Sequence, residues 1–308
     1  MTTPDDATNG DATHGDATQP VILVTGGATG KTGRRVAQRL RARGVPVRVG
    51  SRAARPSFDW ADRATWRPAL DGTTAAYVCY FPDLGVPSAP DAIAEFAEAA
   101  LDLGSRRLVL LAGRGEEDAL RSEAALRASG AEWTVVRCSW FNQNFSENFF
   151  LGPVLAGEVA LPTDGVPEPF VDADDIADVA VAALIEDGRA GQVYELTGPR
   201  LLTFADAVEE IAAASGRDIR YVPITVEQFT AGMTGAGEDA ELVSLLAYLF
   251  TDVMDGRNAS LTDGVQRALG RDPRDFHDYA RDTAATGVWA GDSARDVPGG
   301  FPANRQDR

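Results

Sequence analysis

Four consecutive apolar residues, Val21-Ile22-Leu23-Val24, run directly into Thr25-Gly26-Gly27-Ala28-Thr29-Gly30-Lys31-Thr32-Gly33. A continuous, β-branched run without polar alternation is what a strand buried on both faces requires. Short apolar runs then alternate with helical patterns. Strands are expected at 21-25, 46-50, 57-59, 75-80, 107-112 and 131-137, with helices at about 31-43, 62-70, 89-103 and 115-129. This alternation predicts an α/β fold built on a doubly wound parallel sheet with right-handed crossovers.

After Arg137 the pattern loosens into Trp140-Phe141-Asn142-Gln143-Asn144-Phe145 and Gly/Pro-rich loops to about 169. A helix at about 173-186 and a strand candidate, Val193-Tyr194-Glu195-Leu196, complete the sheet domain, which therefore spans 21-200 with a substrate-region insertion at about 140-170. Residues 201-290 read as a smaller, mostly helical substrate region, beginning at the capping candidate Thr203 and including a long amphipathic helix over 238-256. The ends read differently. Residues 1-20 carry a threefold Asp-Ala-Thr repeat and His14, with almost nothing to pack, and 291-308 lack periodicity; both are expected to be tails.

The net charge of −17 repels nucleic acid and anionic lipid, so an anionic ligand must meet a local site. No run approaches the roughly 20 apolar residues of a membrane span, and the first twenty residues lack the basic start of a signal peptide. With two cysteines and two histidines there is no zinc cluster or disulfide framework, and a reducing cytoplasmic location is expected. Cys79 and Cys138 fall on strands two positions apart, about 9 to 10 Å, too far for a disulfide. Asp172-Ala173-Asp174-Asp175 reads as a helix cap in preference to a metal site, and His277 as a surface histidine.

Gly27, Gly30 and Gly33 form G-x-x-G-x-x-G between strand and helix. The first is assigned a tight turn, the second a close approach of main chain to pyrophosphate, the third close helix-to-strand packing. Thr29, Lys31 and Thr32 complete a loop whose helix N-terminus would face phosphates. A Walker A loop is excluded because Thr25 stands where its first glycine belongs. The second strand ends Val49-Gly50-Ser51-Arg52 with no acid, so Ser51 and Arg52 favour a ribose 2′-phosphate and hence NADP(H), against the alternative of a solvated surface arginine. Asp59 and Trp60 are candidates for the adenine, or else a structural aspartate and a packed tryptophan.

On Val24 to Gly33, Arg52, Ala128-Ser129-Gly130 with Trp133 to Arg137, Trp140 to Phe145 and Tyr194-Glu195-Leu196-Thr197-Gly198-Pro199, the chain resembles the NmrA-like branch of the atypical short-chain dehydrogenases/reductases, especially its quinone-reductase-like members. The likeness covers about 21-289 and implies a Rossmann-type sheet, bound NADP(H), and a C-terminal part covering the nicotinamide end. Within it, Phe81, Pro82, Ala112 and Gly113 fall at the carboxyl edge of the sheet as cofactor candidates. Trp140, Phe141, Asn144 and Phe145 are candidates for a flat slot holding an aromatic or quinone-like substrate, with an aromatic core as the alternative.

Classical relatives use Tyr-x-x-x-Lys to exchange a proton during hydride transfer. Here the pair is missing, and the sole lysine is Lys31. The reading is therefore NADPH-dependent reduction of a small quinone-like or conjugated carbonyl acceptor by direct hydride transfer, with catalytic residues unassigned. A tailoring enzyme with an unusual substrate and a non-enzymatic NADP(H) sensor of the NmrA type are the alternatives; a homodimer stays open.

Overall fold

The computed structural model describes residues 20-291 except 148 and 164. Both tail expectations, and His14 with them, otherwise lie outside the described residues. The first unit comprises β1 (Val21–Thr25), α1 (Lys31–Ala42), β2 (Val47–Gly50), α2 (Trp66–Leu70), β3 (Thr73–Val78), α3 (Ala89–Asp102), β4 (Arg107–Gly113), α4 (Glu117–Ala128) and β5 (Glu132–Cys138). After an excursion come α6 (Ala173–Ile185) and β7 (Gln192–Leu196), between which no further strand intervenes. The excursion itself contains α5 (Leu151–Ala156) and β6 (Glu158–Leu161).

The six strands form one sheet in the order β2-β1-β3-β4-β5-β7, with every neighbouring pair parallel. Alternation along β1 shows why the opening run is apolar throughout. Ile22 and Val24 enter the core shared with Val36 and Leu40 of α1 and Ile176 and Ala180 of α6, while Leu23 enters the opposite core with Trp66, Ile93 and Phe96. Strand order reverses between β1 and β3, the switch point where open α/β sheets bind ligands. Thr25 locks that point: its Oγ1 accepts from the Cys79 amide at 2.7 Å and lies 3.1 Å from the Tyr77 carbonyl oxygen as donor.

The expected strand at 57-59 does not join the sheet. Phe58 is buried edge-on against Trp60 and Phe96, while Asp59 and Asp62 carboxylates accept from the amides of Ala61 and Ala64. Local turns claim the backbone there. Cys79 and Cys138 are free thiols separated by β4, as expected.

The C-terminal part contains α7 (Phe204–Ser215), β8 (Arg220–Pro223), α8 (Val226–Gly235), α9 (Ala240–Tyr248), α10 (Gly264–Leu269) and α11 (Phe276–Ala285). Thr203 caps α7 in a reciprocal box with Asp206. The 238-256 expectation resolves into α9 followed by a π turn at Leu249–Val253. This part is not purely helical: β8 pairs in parallel with β6, so the excursion after β5 and the C-terminal part build one lobe. Phe145, Phe150, Phe170, Phe204, Phe276 and Trp289 form its core.

Candidate functional site

The turn after β1 is made by Gly26, the residue with positive φ (+67°), and not by Gly27 as expected from spacing. Each glycine of the triplet is nevertheless sterically required. A Cβ on Gly27 would stand 2.9 Å from the Val24 carbonyl oxygen, one on Gly30 2.7 Å from that of Gly26, and one on Gly33 2.5 Å from the same atom. Gly30 is the N-cap of α1, without a side-chain cap, and the first turn of α1 contains no acid. Ala28 and Thr29 are exposed beside it, whereas the Thr32 side chain is buried and leaves only its amide toward the helix end. A helix start with free amides, exposed loop backbone and no neutralising acid in its first turn fits a diphosphate.

Lys31 stands in that first turn. Burial pushes its ammonium down to about 8, partly offset by Glu147. Glu147 belongs to the second lobe and ties it to the loop helix, accepting from Arg34 at 2.7 Å and from Arg35 at 2.7 Å.

At the carboxyl end of β2, Arg52 is exposed and makes no hydrogen bond or ion pair to any described residue. Its neighbours differ. Arg48 donates to the carbonyls of Ala69 and Asp71 at 2.9 and 2.5 Å, and Arg55 donates to Ala54. Ser51 is half-buried, its carbonyl accepting from Ala54 and Phe58. Trp60 is engaged in packing: its Nε1 donates to the Cys79 carbonyl at 2.9 Å and its ring meets Phe58, Trp66, Tyr80 and Phe96. Asp59 accepts through its backbone oxygen from Trp66 Nε1 at 2.8 Å.

At the carboxyl edge, Phe81 is 60% exposed and Pro82 exposed beside it. Ala112 points into the core, and the Glu116 carboxyl fills the space where a Gly113 side chain would go. Of the aromatic candidates, Trp140 is half-buried and stacks on Phe250 at 5.3 Å; Phe141 packs against the sheet core, and Asn144 is half-buried. Phe145 is fully buried among four phenylalanine rings. Its ring is lobe core and not a slot wall.

Three buried polar side chains at this edge escaped the sequence reading. Glu116 Oε2, Glu168 Oε1 and both amide atoms of Asn142 lack hydrogen-bond partners. Glu168 Oε2 accepts from Ser139 at 3.0 Å, and burial pushes its carboxyl up to about 7 against Ser139 and Arg114. The acidic run behaves as a cap and ion-pair cluster. Asp172 accepts from the Asp174 amide, Asp174 pairs with Arg39 at 2.5 Å, and Asp175 with Arg271 at 2.7 Å. His277 is exposed on the first turn of α11.

No protein-family model matches the chain. An uncharacterized oxidoreductase of Bacillus subtilis, YesF, is 32% identical over 284 residues, covering 88% of this chain and 98% of the relative. An NAD(P)H azoreductase of Xenophilus azovorans is 30% identical over 261 residues, covering 81% and 86%. Among solved structures, NmrA, a negative transcriptional regulator, matches with TM-score 0.64 and 16% identity over 88% of this chain and 98% of its own. The chain belongs to the NmrA-like atypical short-chain dehydrogenases/reductases. Another solved structure of this fold, the Citrobacter triphenylmethane reductase in complex with NADP(H), matches with TM-score 0.66 and 19% identity over 87% and 99%. The missing Tyr-x-x-x-Lys is thus a property of an NmrA-like chain whose α4 carries Glu117 to Ala128 in its place.

Proposed function

We propose that this protein is an NADPH-dependent reductase of a flat aromatic, quinone-like or conjugated carbonyl acceptor. The observation carrying the reading is the uncapped start of α1 behind the Gly26-to-Gly33 turn, where exposed backbone and Lys31 offer donors and positive charge to a diphosphate. Arg52, uncommitted at the end of β2, would hold the 2′-phosphate with Ser51. When bound, the cofactor supplies hydride. The protein's part is positioning: the loops after β3, β4 and β5 lie at the carboxyl edge, and on the last of them Trp140, half-buried and stacked on the core residue Phe250, would offer an aromatic side chain to the acceptor. The names of the NAD(P)H azoreductase and of the triphenylmethane reductase, the latter described with triphenylmethane dyes, support a conjugated aromatic acceptor.

NADPH oxidation with menadione and an azo dye as acceptors tests the reading. Acceptor-dependent turnover is expected; saturable NADPH binding without turnover on any acceptor would favour the sensor instead.

A further inference from the structure

Two fully buried acids in this protein are matched by arginines. Glu123, fully buried, receives Arg127 at 2.8 Å and Arg137 at 2.6 Å, and Asp175, equally buried, receives Arg271 and Arg274. Glu116, Glu168 and Asp172 are buried without an ion pair to an arginine among the described residues, and of these Glu116 has a second carboxyl beside it on a neighbouring loop. Glu116 is 7% exposed, and its Oε2 has no partner. The cation on the same β4-to-α4 connection, Arg114, points away to Glu195 at 2.8 Å and to the carbonyls of Asn258 and Ser260.

The placement of this acid is specific. Its carboxyl occupies the volume a Cβ on Gly113 would take, and its Oε2 lies 2.8 Å from the Cβ position of Gly85, where Asp83 Oδ1 also arrives at 3.2 Å. Gly113 at the end of β4 and Gly85 in the loop between β3 and α3 thus make room for one carboxyl group beside another. The remaining ionisable neighbours are accounted for. Glu117 is exposed, and Tyr248 of α9 accepts from its amide at 3.3 Å; Arg257 is paired with Asp255 at 2.6 Å. Burial, then Asp83, hold the Glu116 carboxyl well above its ordinary range. Once protonated, this carboxyl has the Asp83 carboxylate beside it as hydrogen-bond partner, so its proton sits between two acids.

We propose that Glu116 is the proton donor to the reduced acceptor and that Asp83 relays its replacement from water. This rests on the reductase reading above. The acceptor gains a hydride from the reduced nicotinamide dinucleotide, which ends oxidised. The Glu116 O–H bond breaks as an O–H or N–H bond forms on the acceptor, and the carboxylate then takes a proton from water through Asp83. Glu116 so fills the place of the absent Tyr-x-x-x-Lys pair.

The test uses the full chain with NADPH, NADP+ and menadione. The infrared difference spectrum of wild type minus Glu116→Gln at pH 7 should show a protonated-carboxyl band, the contribution of Glu168 cancelling between the two proteins. In wild type the band should persist with NADPH and weaken with NADP+, whose charged nicotinamide favours the carboxylate. Glu116→Gln should lower kcat about 100-fold with NADPH affinity within about twofold. Asp83→Asn should fold independently of that substitution and move the alkaline limb of kcat to lower pH. Unchanged kcat and pH profile in Glu116→Gln with NADPH binding intact, or a band indifferent to cofactor oxidation state, overturns the proton-donor role alone. Wild type that binds no NADPH overturns both this role and the reductase reading.

Discussion

The carbonyl oxygen of Gly26 lies 2.5 Å from the point a Cβ on Gly33 would occupy, so the turn after β1 and the first turn of α1 touch backbone to backbone. Gly33→Ala must push the helix off the strand. The expected cost is about 1 to 3 kcal/mol, as for other overpacked sites, together with weakened NADPH binding. Gly152→Ala, in open space on α5, serves as control and should be neutral or slightly stabilising in thermal denaturation.

Arg52 is exposed at the end of β2, whereas Arg48 is spent on carbonyls. Arg52→Ala should weaken NADPH binding by about 1 to 3 kcal/mol, the range for hydrogen bonds to charged groups, and leave NADH binding nearly unchanged. Titration calorimetry with both cofactors checks it. Equal losses would remove the 2′-phosphate assignment.

The chain of ion pairs Arg127, Glu123, Arg137, Glu195 and Arg114 runs from α4 through β5 and β7 to the residue that follows β4. Glu123→Ala leaves Arg127 to solvent and Arg137 with Glu195 alone, and should cost about 1 to 3 kcal/mol in urea denaturation. Glu123→Ala with Arg137→Met should lose less than the sum of the single changes; strict additivity would mean that the two groups do not interact.

Burial raises Glu168 to about 7. The folded state then binds more protons than the unfolded state between the ordinary glutamate value and about 7, so this group's contribution falls as pH rises through that window. The total is about 3 kcal/mol. Relative to wild type, Glu168→Gln should therefore gain stability from pH 4.5 to 7 and no further above it. Parallel stability curves for the two proteins would contradict this.

Much of the fold was legible because its signals are local. The apolar run at Val21 to Val24, the glycine turn and the caps at Thr203 and Asp172 each state their structure within a few residues. The errors arise where distant contacts decide. Residues 57-59 have strand composition, but Phe58 is drawn into a cluster with Phe96, and no strand forms. Phe145 looked like its neighbours in an aromatic segment until Phe204 and Phe276 enclosed it. Strand β8 needs β6 as its partner, and the two are about sixty residues apart.

Within the candidate site, glycine spacing disclosed the phosphate loop, since its cause is steric and contiguous. Glu116 was invisible for the opposite reason. An acid next to a helix start ordinarily reads as a complement to the dipole, and what isolates this one includes the loop holding Gly85, with Leu245 of α9 also within 3.5 Å of the Gly85 Cβ position. The unpartnered amide of Asn142 likewise emerges only once the second lobe is folded over the sheet.

Calorimetric titration of the intact protein with NADPH near pH 9, in two buffers of different ionisation enthalpy, is the most direct trial of the diphosphate site. One saturable site is expected, with proton uptake as the phosphates raise Lys31 from its value of about 8. Absence of both binding heat and thermal stabilisation would contradict it.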